Sequence, residues 1–233
     1  KPEPIESDGW DLLDKINKEK ELIGMYLTAH PLDRFKPEIT NLCNVDLYQI
    51  NNELEDLVDK EIVFCGMVKS FRQGISQKNS RPFGSAVLED YTDTYQLGLW
   101  GNDYVNFKNF FSNGMALIIK ANVEKWESRD KTRKGIALRI KNIHMLSEVR
   151  EELIKSVQLT VSVENVNEEL IKGIEKFIEP PGKKNKGKLL RFLIVDNEAN
   201  LKIDMFSRSK YVHLSDNFIN FIENFSDLSY KLN

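Results

Sequence analysis

Apolar and strand-forming residues cluster in five runs between residues 61 and 147, Glu61–Phe71, Phe83–Leu88, Tyr95–Trp100, Met115–Trp126 and Lys134–Met145, with apolar residues at every second position in the last two. A period of two marks strands with one buried face. In the fourth run Leu117, Ile119, Ala121 and Val123 share one face and Lys120, Asn122, Glu124 and Trp126 the other. In the fifth, Ile136, Leu138 and Ile140 point in, so Arg139 and Lys141 point out. The polar stretch Glu89–Thr94 joins the second and third runs as a hairpin turn. A short helical piece, Asp103–Phe111, separates the third run from the fourth. Ahead of the strands the period changes: Leu12, Leu13, Ile16, Leu22, Ile23, Tyr26 and Leu27 fall three and four apart, the stripe of a helix, with Lys18–Glu21 as its solvated side. That helix is expected to stop near His30–Pro31, since the residue before a proline is pushed out of the α region. An irregular passage around Pro37 then leads to a short acidic helix, Asn51–Val58.

Five strands with one helix between the third and fourth follow the chain order of an OB-fold, a small barrel whose face and flanking loops often hold oligonucleotides. Beyond it the elements alternate in type. A short helix, Ser147–Lys155, precedes a strand carrying Val157, Leu159, Val161 and Val163. A helix stripe of Leu170, Ile171, Ile174, Phe177 and Ile178 ends at Pro180–Pro181–Gly182, and two strands, Leu189–Val195 and Asn200–Phe206, form a hairpin. A last helix, Asp216–Phe225, precedes a closing strand, Leu228–Leu232. This β-α-β-β-α-β order predicts a compact α+β layer. The expected fold class is mainly β with α+β: a helical arm at 1–60, a five-stranded OB barrel at 61–147 and a small α+β domain at 148–233.

Composition narrows the function classes. No run approaches the ~20 apolar residues of a membrane span, and Lys1-Pro-Glu-Pro4 starts no secretory segment, so a cytoplasmic location with no membrane partner is expected. Cys43 and Cys65 lack a Cys-x-x-Cys partner and read as reduced thiols, and His30, His144 and His213 offer no metal spacing. The net charge of −3 is unevenly spread: residues 1–60 carry −7, residues 61–147 carry +5 and residues 148–233 carry −1. Positive charge is therefore concentrated in the barrel stretch.

Its loops hold much of that charge. The loop between the fourth and fifth strands contributes Arg129, Lys131, Arg133 and Lys134, beside Trp126. The loop after the first strand and its borders contribute Lys69, Phe71, Arg72, Lys78 and Arg81; Trp100, Arg139 and Lys141 lie on outward strand positions. Cations that track phosphates around rings that accept stacked bases are what an unpaired nucleic-acid strand requires. Phe64, Phe83 and Tyr95 are equally suited to the core. Glu89, Asp90 and Asp93 occupy a turn, where acids are favoured for local hydrogen bonds, so no catalytic or metal residue and no cofactor is expected.

Two blocks of sequence resemble the replicative DNA polymerase III alpha subunit of bacteria. Glu19-Lys-Glu-Leu-Ile-Gly-Met-Tyr-Leu-Thr-Ala-His-Pro-Leu-Asp-Arg-Phe35 is similar to the stretch by which that family leaves its helix-hairpin-helix region. Phe64-Cys-Gly-Met-Val68, Pro82–Asp93 and Leu99–Tyr104 resemble its OB domain in the same order, with Trp100 in place of a smaller aromatic. The resemblance implies a non-catalytic part of a DNA-directed DNA polymerase, a nucleotidyltransferase whose palm lies outside residues 1–233. It further implies single-stranded DNA held by the barrel and the tau subunit of the clamp loader docked on the C-terminal domain. Phe218, Phe221, Ile222 and Phe225 of the last helix are the candidates for that contact. Gln96-Leu-Gly-Leu-Trp100 resembles a sliding-clamp motif and Ile203-Asp-Met-Phe206 echoes it in part, but both fall in strands; the resemblance to the family implies a clamp motif upstream of this chain. The rival class is a pure interaction module, its barrel packed on other replisome domains. A third, an anticodon-binding domain of a tRNA synthetase, shares the barrel but not the His-Pro block.

Overall fold

The computed structural model describes residues 12–24, 26–77, 80–128, 131–179, 187–225 and 228–233. The first sheet is built from β1 (Glu61–Ile75), β2 (Pro82–Glu89), β3 (Thr94–Trp100), β4 (Ala116–Glu127) and β5 (Lys134–Met145), in the spatial order β3-β2-β1-β4-β5. All its ladders are antiparallel. β1 is long enough to serve two partners: Glu61–Met67 pair with β4, and Met67–Ile75 pair with β2. The change of partner coincides with a bulge between Val68 and Ser70, a kink that wraps the sheet around its contents. Ile62, Phe64, Leu88, Leu97, Leu99, Leu117, Ile119 and Val123 fill the interior. The helix α4 (Asn102–Phe107) leads from β3 toward β4, and its Tyr104 is buried against that interior. This is the OB-fold anticipated from the element order.

The hairpin turn shows why its acids are there. Asp90 is buried, and its carboxylate accepts from Thr92 N at 2.7 Å, Thr92 Oγ1 at 2.8 Å, Asp93 N at 2.9 Å and Leu47 N at 2.8 Å. The last bond pins the start of a helix in the arm.

A second sheet contains β6 (Ser156–Ser162), β7 (Ile178–Glu179), β8 (Lys188–Asp196), β9 (Leu201–Val212) and β10 (Leu228–Leu232), ordered β10-β6-β8-β9-β7. β6 and β8 are parallel neighbours joined through α6 (Glu168–Glu175), and α7 (Asp216–Glu223) carries the chain from β9 to β10. Both helices press Leu170, Ile174, Phe218, Ile219 and Ile222 into one core with Val157, Leu159, Val161 and Leu190.

The arm departs from the expected outline. Its first helix, α1 (Leu12–Ile23), ends well before His30, because Gly24 takes φ +85° and closes the last turn with its N–H on the Lys20 carbonyl at 2.9 Å. Of the predicted stripe, Ile16 is buried while Leu22, Ile23 and Leu27 are exposed. The predicted acidic helix begins earlier than Asn51. α3 (Leu47–Asn52) is started by a capping box between Asp46 and Gln49, and Leu54–Leu57 form a separate 3-10 turn. Between α1 and α3 lies α2 (Lys36–Leu42), a segment read from sequence as irregular.

α2 is the wedge between the two sheets. Leu32, Phe35, Ile39, Leu42 and Cys43 join the core of the second sheet, as do Cys65 and Ile118 from the outer surface of the barrel. Asn44 continues the contact, its N–H on the Val63 carbonyl at 2.9 Å and its Oδ1 accepting from Val63 N at 2.7 Å. Both cysteines are free thiols; the neighbouring Cys43 and burial push the Cys65 thiol up, so it stays protonated. Within the wedge Glu38 is fully buried and ion-paired with Arg150 of α5 (Val149–Glu152), which also pairs with Asp216 at the start of α7. Removing one partner of a buried pair strands a charge, at a cost of about 3–5 kcal/mol. Arg150→Ala is therefore expected to lower the denaturation midpoint by that amount of stability. Arg150→Met with Glu38→Met should recover most of it, measured by urea titration.

Candidate nucleic-acid interface

The outward side chains of β1, β2 and β3 form an aromatic platform at one end of the barrel. Phe83 and Trp100 are cross-strand partners, and their rings stack at 4.9 Å between centroids with 17° between planes. Glycine makes room for both. A Cβ on Gly98 would meet Trp100 Nε1 at 2.7 Å, and one on Gly74 would meet the Phe83 ring at 3.0 Å. The two rings therefore lie flat on the sheet from β1 to β3, with Trp100 61% exposed. Arg72 stands opposite Ser85 on the same face, and Gln96 donates to Ser85 Oγ at 2.8 Å. Phe83, one of the rings the sequence left open between core and surface, is thus a platform residue. Its strand partner across the hairpin was the missing signal.

A second group sits at the tip of β4 and β5. Trp126 is 45% exposed, and its ring covers Gly135 on the neighbouring strand, where a Cβ would come within 2.9 Å of Nε1. Lys131, Arg133 and Lys134 are exposed beside it. The connecting turn is held by Ser128, whose N–H donates to the Arg133 carbonyl at 2.8 Å and whose Oγ accepts from Arg133 N at 3.0 Å. Arg139 is exposed on β5; burial pushes the Asp103 carboxyl up, and the charge of Arg139 pulls it part of the way back. Arg139 thus lies within electrostatic reach of α4, three residues beyond Trp100. Arg81 is exposed next to the platform, while Lys78 and Arg129 lie outside the described residues.

Three of the expected residues are engaged elsewhere. Phe71 points into the barrel, stacked on Phe111 at 5.5 Å and lying over Gly84, so its face is used by the core. Lys141 is 3.3 Å from Glu61, which also pairs with Lys120 at 2.7 Å. Lys69 closes a latch with the arm. Its Nζ lies 2.8 Å from one oxygen of Glu89, Lys20 of α1 pairs with the other, and Tyr26 Oη accepts from Lys69 at 3.2 Å. Lys20 also sits 4.2 Å over the Tyr26 ring, and His30 packs between Tyr26 and Tyr91 at 5.0 and 4.6 Å. The arm therefore covers the Glu89 end of this face and leaves the Phe83–Trp100 end open.

Comparison with known proteins fits this architecture. Residues 62–146 match the OB-fold nucleic acid binding domain family, and residues 157–233 match the family described as DNA polymerase III alpha subunit, C-terminal domain. The chain is similar to the C-terminal region of the DNA polymerase III alpha subunit. It is 25% identical over 202 residues to the DNA polymerase III subunit alpha of Borreliella burgdorferi, covering 83% of this chain and 16% of that protein. For the subunit of Haemophilus influenzae the identity is 22% over 165 residues, covering 71% and 14%. The chain thus spans about a seventh of the length of the alpha subunits it matches. Among solved structures, a mitochondrial single-stranded DNA binding protein from S. cerevisiae is 15% identical, with a TM-score of 0.28 over 37% of this chain and 95% of that one. No described helix is long and apolar enough to cross a membrane.

The four candidate partner residues, three on α7 and Phe225 just beyond its end, separate into two kinds. Phe218 and Ile222 are fully buried and belong to the core, because α7 packs that side on the sheet. Phe221 is wedged between Phe177 and Phe225 at 5.6 and 5.1 Å. Phe225 alone of the four lines a cleft, about 810 Å³, between α2 and β10, with Lys36, Glu223, Tyr230 and Lys231 around it.

The latch titrates in a defined direction. Burial would raise the Glu89 carboxyl, but Lys20 and Lys69 outweigh it and hold the group below its ordinary 4.5. Burial holds His30 below its ordinary 6.5. Both groups are depressed, so the released arm takes up protons first and docking weakens as pH falls. Loss should begin below about 6.5 through His30 and deepen below about 4.5 through Glu89. Glu89→Gln is expected to loosen the arm at neutral pH and remove the lower step, read from the Tyr26 ring resonances by nuclear magnetic resonance.

Proposed function

We propose that the chain is a non-catalytic part of a replicative DNA polymerase, holding single-stranded template on its barrel while its C-terminal domain docks the tau subunit of the clamp loader. The observation that carries the DNA half is the Phe83–Trp100 stack lying flat and open beside Arg72, with exposed cations in the adjoining loops. Rings of this kind accept bases of any sequence, and cations follow the backbone. The same reading is supported by the match of residues 62–146 to nucleic acid binding OB domains. The DNA track we propose includes Arg72, Lys78, Arg81, Phe83, Trp100, Trp126, Arg129, Lys131, Arg133, Lys134 and Arg139. Lys69, Phe71 and Lys141 drop out because they are already engaged. For tau, the proposed contact is the cleft beside Phe225, since Phe218, Ile219 and Ile222 of α7 are spent on the core. Nucleotidyl transfer belongs to the parts of the subunit outside this chain, as does any clamp-binding motif, and no cofactor is assigned here.

The rival reading, a barrel used wholly for packing on protein, draws on the covered surface around Cys65 and Ile118. That surface is already filled by the chain's own C-terminal domain.

Titration of the chain with oligo-dT at low and moderate salt tests the DNA half. Trp100→Ala should cost about 1–3 kcal/mol of binding if a base stacks there. Replacing Lys131, Arg133 and Lys134 together with Ala should weaken binding and flatten the slope of log affinity against log salt by about 2, at roughly 0.7 for each lost single-strand phosphate contact. Unchanged affinity and slope would assign the loops to protein contacts.

A further inference from the structure

The two edges of the C-terminal sheet are finished differently. At the β10 edge the Leu232 N–H donates to Asn41 Oδ1 of α2 at 3.0 Å, so the arm covers the edge. At the other edge β7 pairs only with Tyr211 and Val212 of β9. Among the described residues no strand lies along the outer side of Leu201–Met205. An uncovered edge presents a row of backbone donors and acceptors that only another extended chain can satisfy together.

The side chains of this edge are apolar where they face the helices. Leu201, Ile203 and Met205 are 57%, 50% and 47% exposed, and in register Ile203 opposes Ile194 and Met205 opposes Phe192. Beside them a groove of about 290 Å³ runs along α6, lined by Val166, Ile171, Ile174, Phe192 and Ile194. Lys202 is exposed at one end of the edge and Lys210 at the other. We propose that this edge and groove bind an extended segment of a partner protein as an added strand, with apolar side chains at alternate positions and acidic residues at its ends. Such strand addition takes affinity from main-chain hydrogen bonds and specificity from alternate side chains. A second copy of the chain fits less well. A rigid copy would meet only a five-residue edge, well short of the ~800 Å² per partner of a stable interface, whereas a flexible segment can follow both edge and groove. This surface is separate from the DNA platform and from the Phe225 cleft.

The test uses the whole chain and a fluorescent peptide, Glu-Val-Thr-Val-Thr-Val-Glu, with blocked ends. Anisotropy should show saturable binding. Hydrogen exchange of the free chain should find fast alternate amides over Leu201–Met205, slowed by the peptide. Ile203→Lys with Met205→Lys, two exposed positions, should weaken binding more than tenfold while circular dichroism is unchanged. A peptide with lysine ends should bind more weakly than the acidic one. The proposal fails if the peptide does not bind, if the double variant binds it equally, or if the edge amides are already protected in the free chain. Sedimentation showing a dimer abolished by the double variant would also overturn it, making a second copy the occupant.

Discussion

The buried pairing of Glu38 with Arg150 is the constraint on which the arrangement of the chain rests. A fully buried carboxylate is tolerated only beside a partner, and here the partner reaches from the segment linking the two sheets to the arm and to the start of α7. One guanidinium thereby ties together three elements far apart in sequence. One oxygen of Glu38 has no hydrogen-bond partner among the described residues, so the pairing with Arg150 carries the burden of burying the charge. With α2 held in this way, the outer surface of β1 and β4 around Val63, Cys65 and Ile118 is covered by the chain's own core.

Coverage on that side decides what remains open on the other. The β1–β3 surface is divided between the arm latch at Glu89 and the ring platform at Phe83 and Trp100. The latch uses two cations on one carboxylate, which removes Lys69 from the positive track. The platform depends on two residues that have no side chain. Gly74 and Gly98 let the rings lie on the sheet, where any Cβ would tilt them away. Flat, half-exposed rings on a rigid sheet lose little entropy when a planar partner stacks on them.

The C-terminal domain puts its large apolar residues to two uses. α7 spends Phe218, Ile219 and Ile222 on the core, and Phe225, just past its end, lines the cleft beside α2. β9 keeps Leu201, Ile203 and Met205 at the surface, on the side of the sheet opposite the β10 edge capped by Asn41 of the arm. Among the described residues, the arm thus closes one edge of the sheet while no strand lies along Leu201–Met205 at the other.

Five strand-forming runs, clear alternation in the last two, one helix between the third and fourth, and acids in the hairpin turn were enough to specify the barrel from sequence, because strand patterning is a local property. The positive charge of residues 61–147 and the outward places of Trp100 and Trp126 were legible for the same reason. Pairing across strands was not. Phe83 became a surface ring through its register with Trp100, Phe71 became a core ring through Gly84 and Phe111, and Lys69 was taken by a glutamate twenty residues away. The last helix was rich in Phe and Ile on more than one face, and only packing into the core of the second sheet separated core from cleft. A side chain's availability is set by what the fold brings against it, and that information lies in contacts between distant residues rather than in the period of any one run.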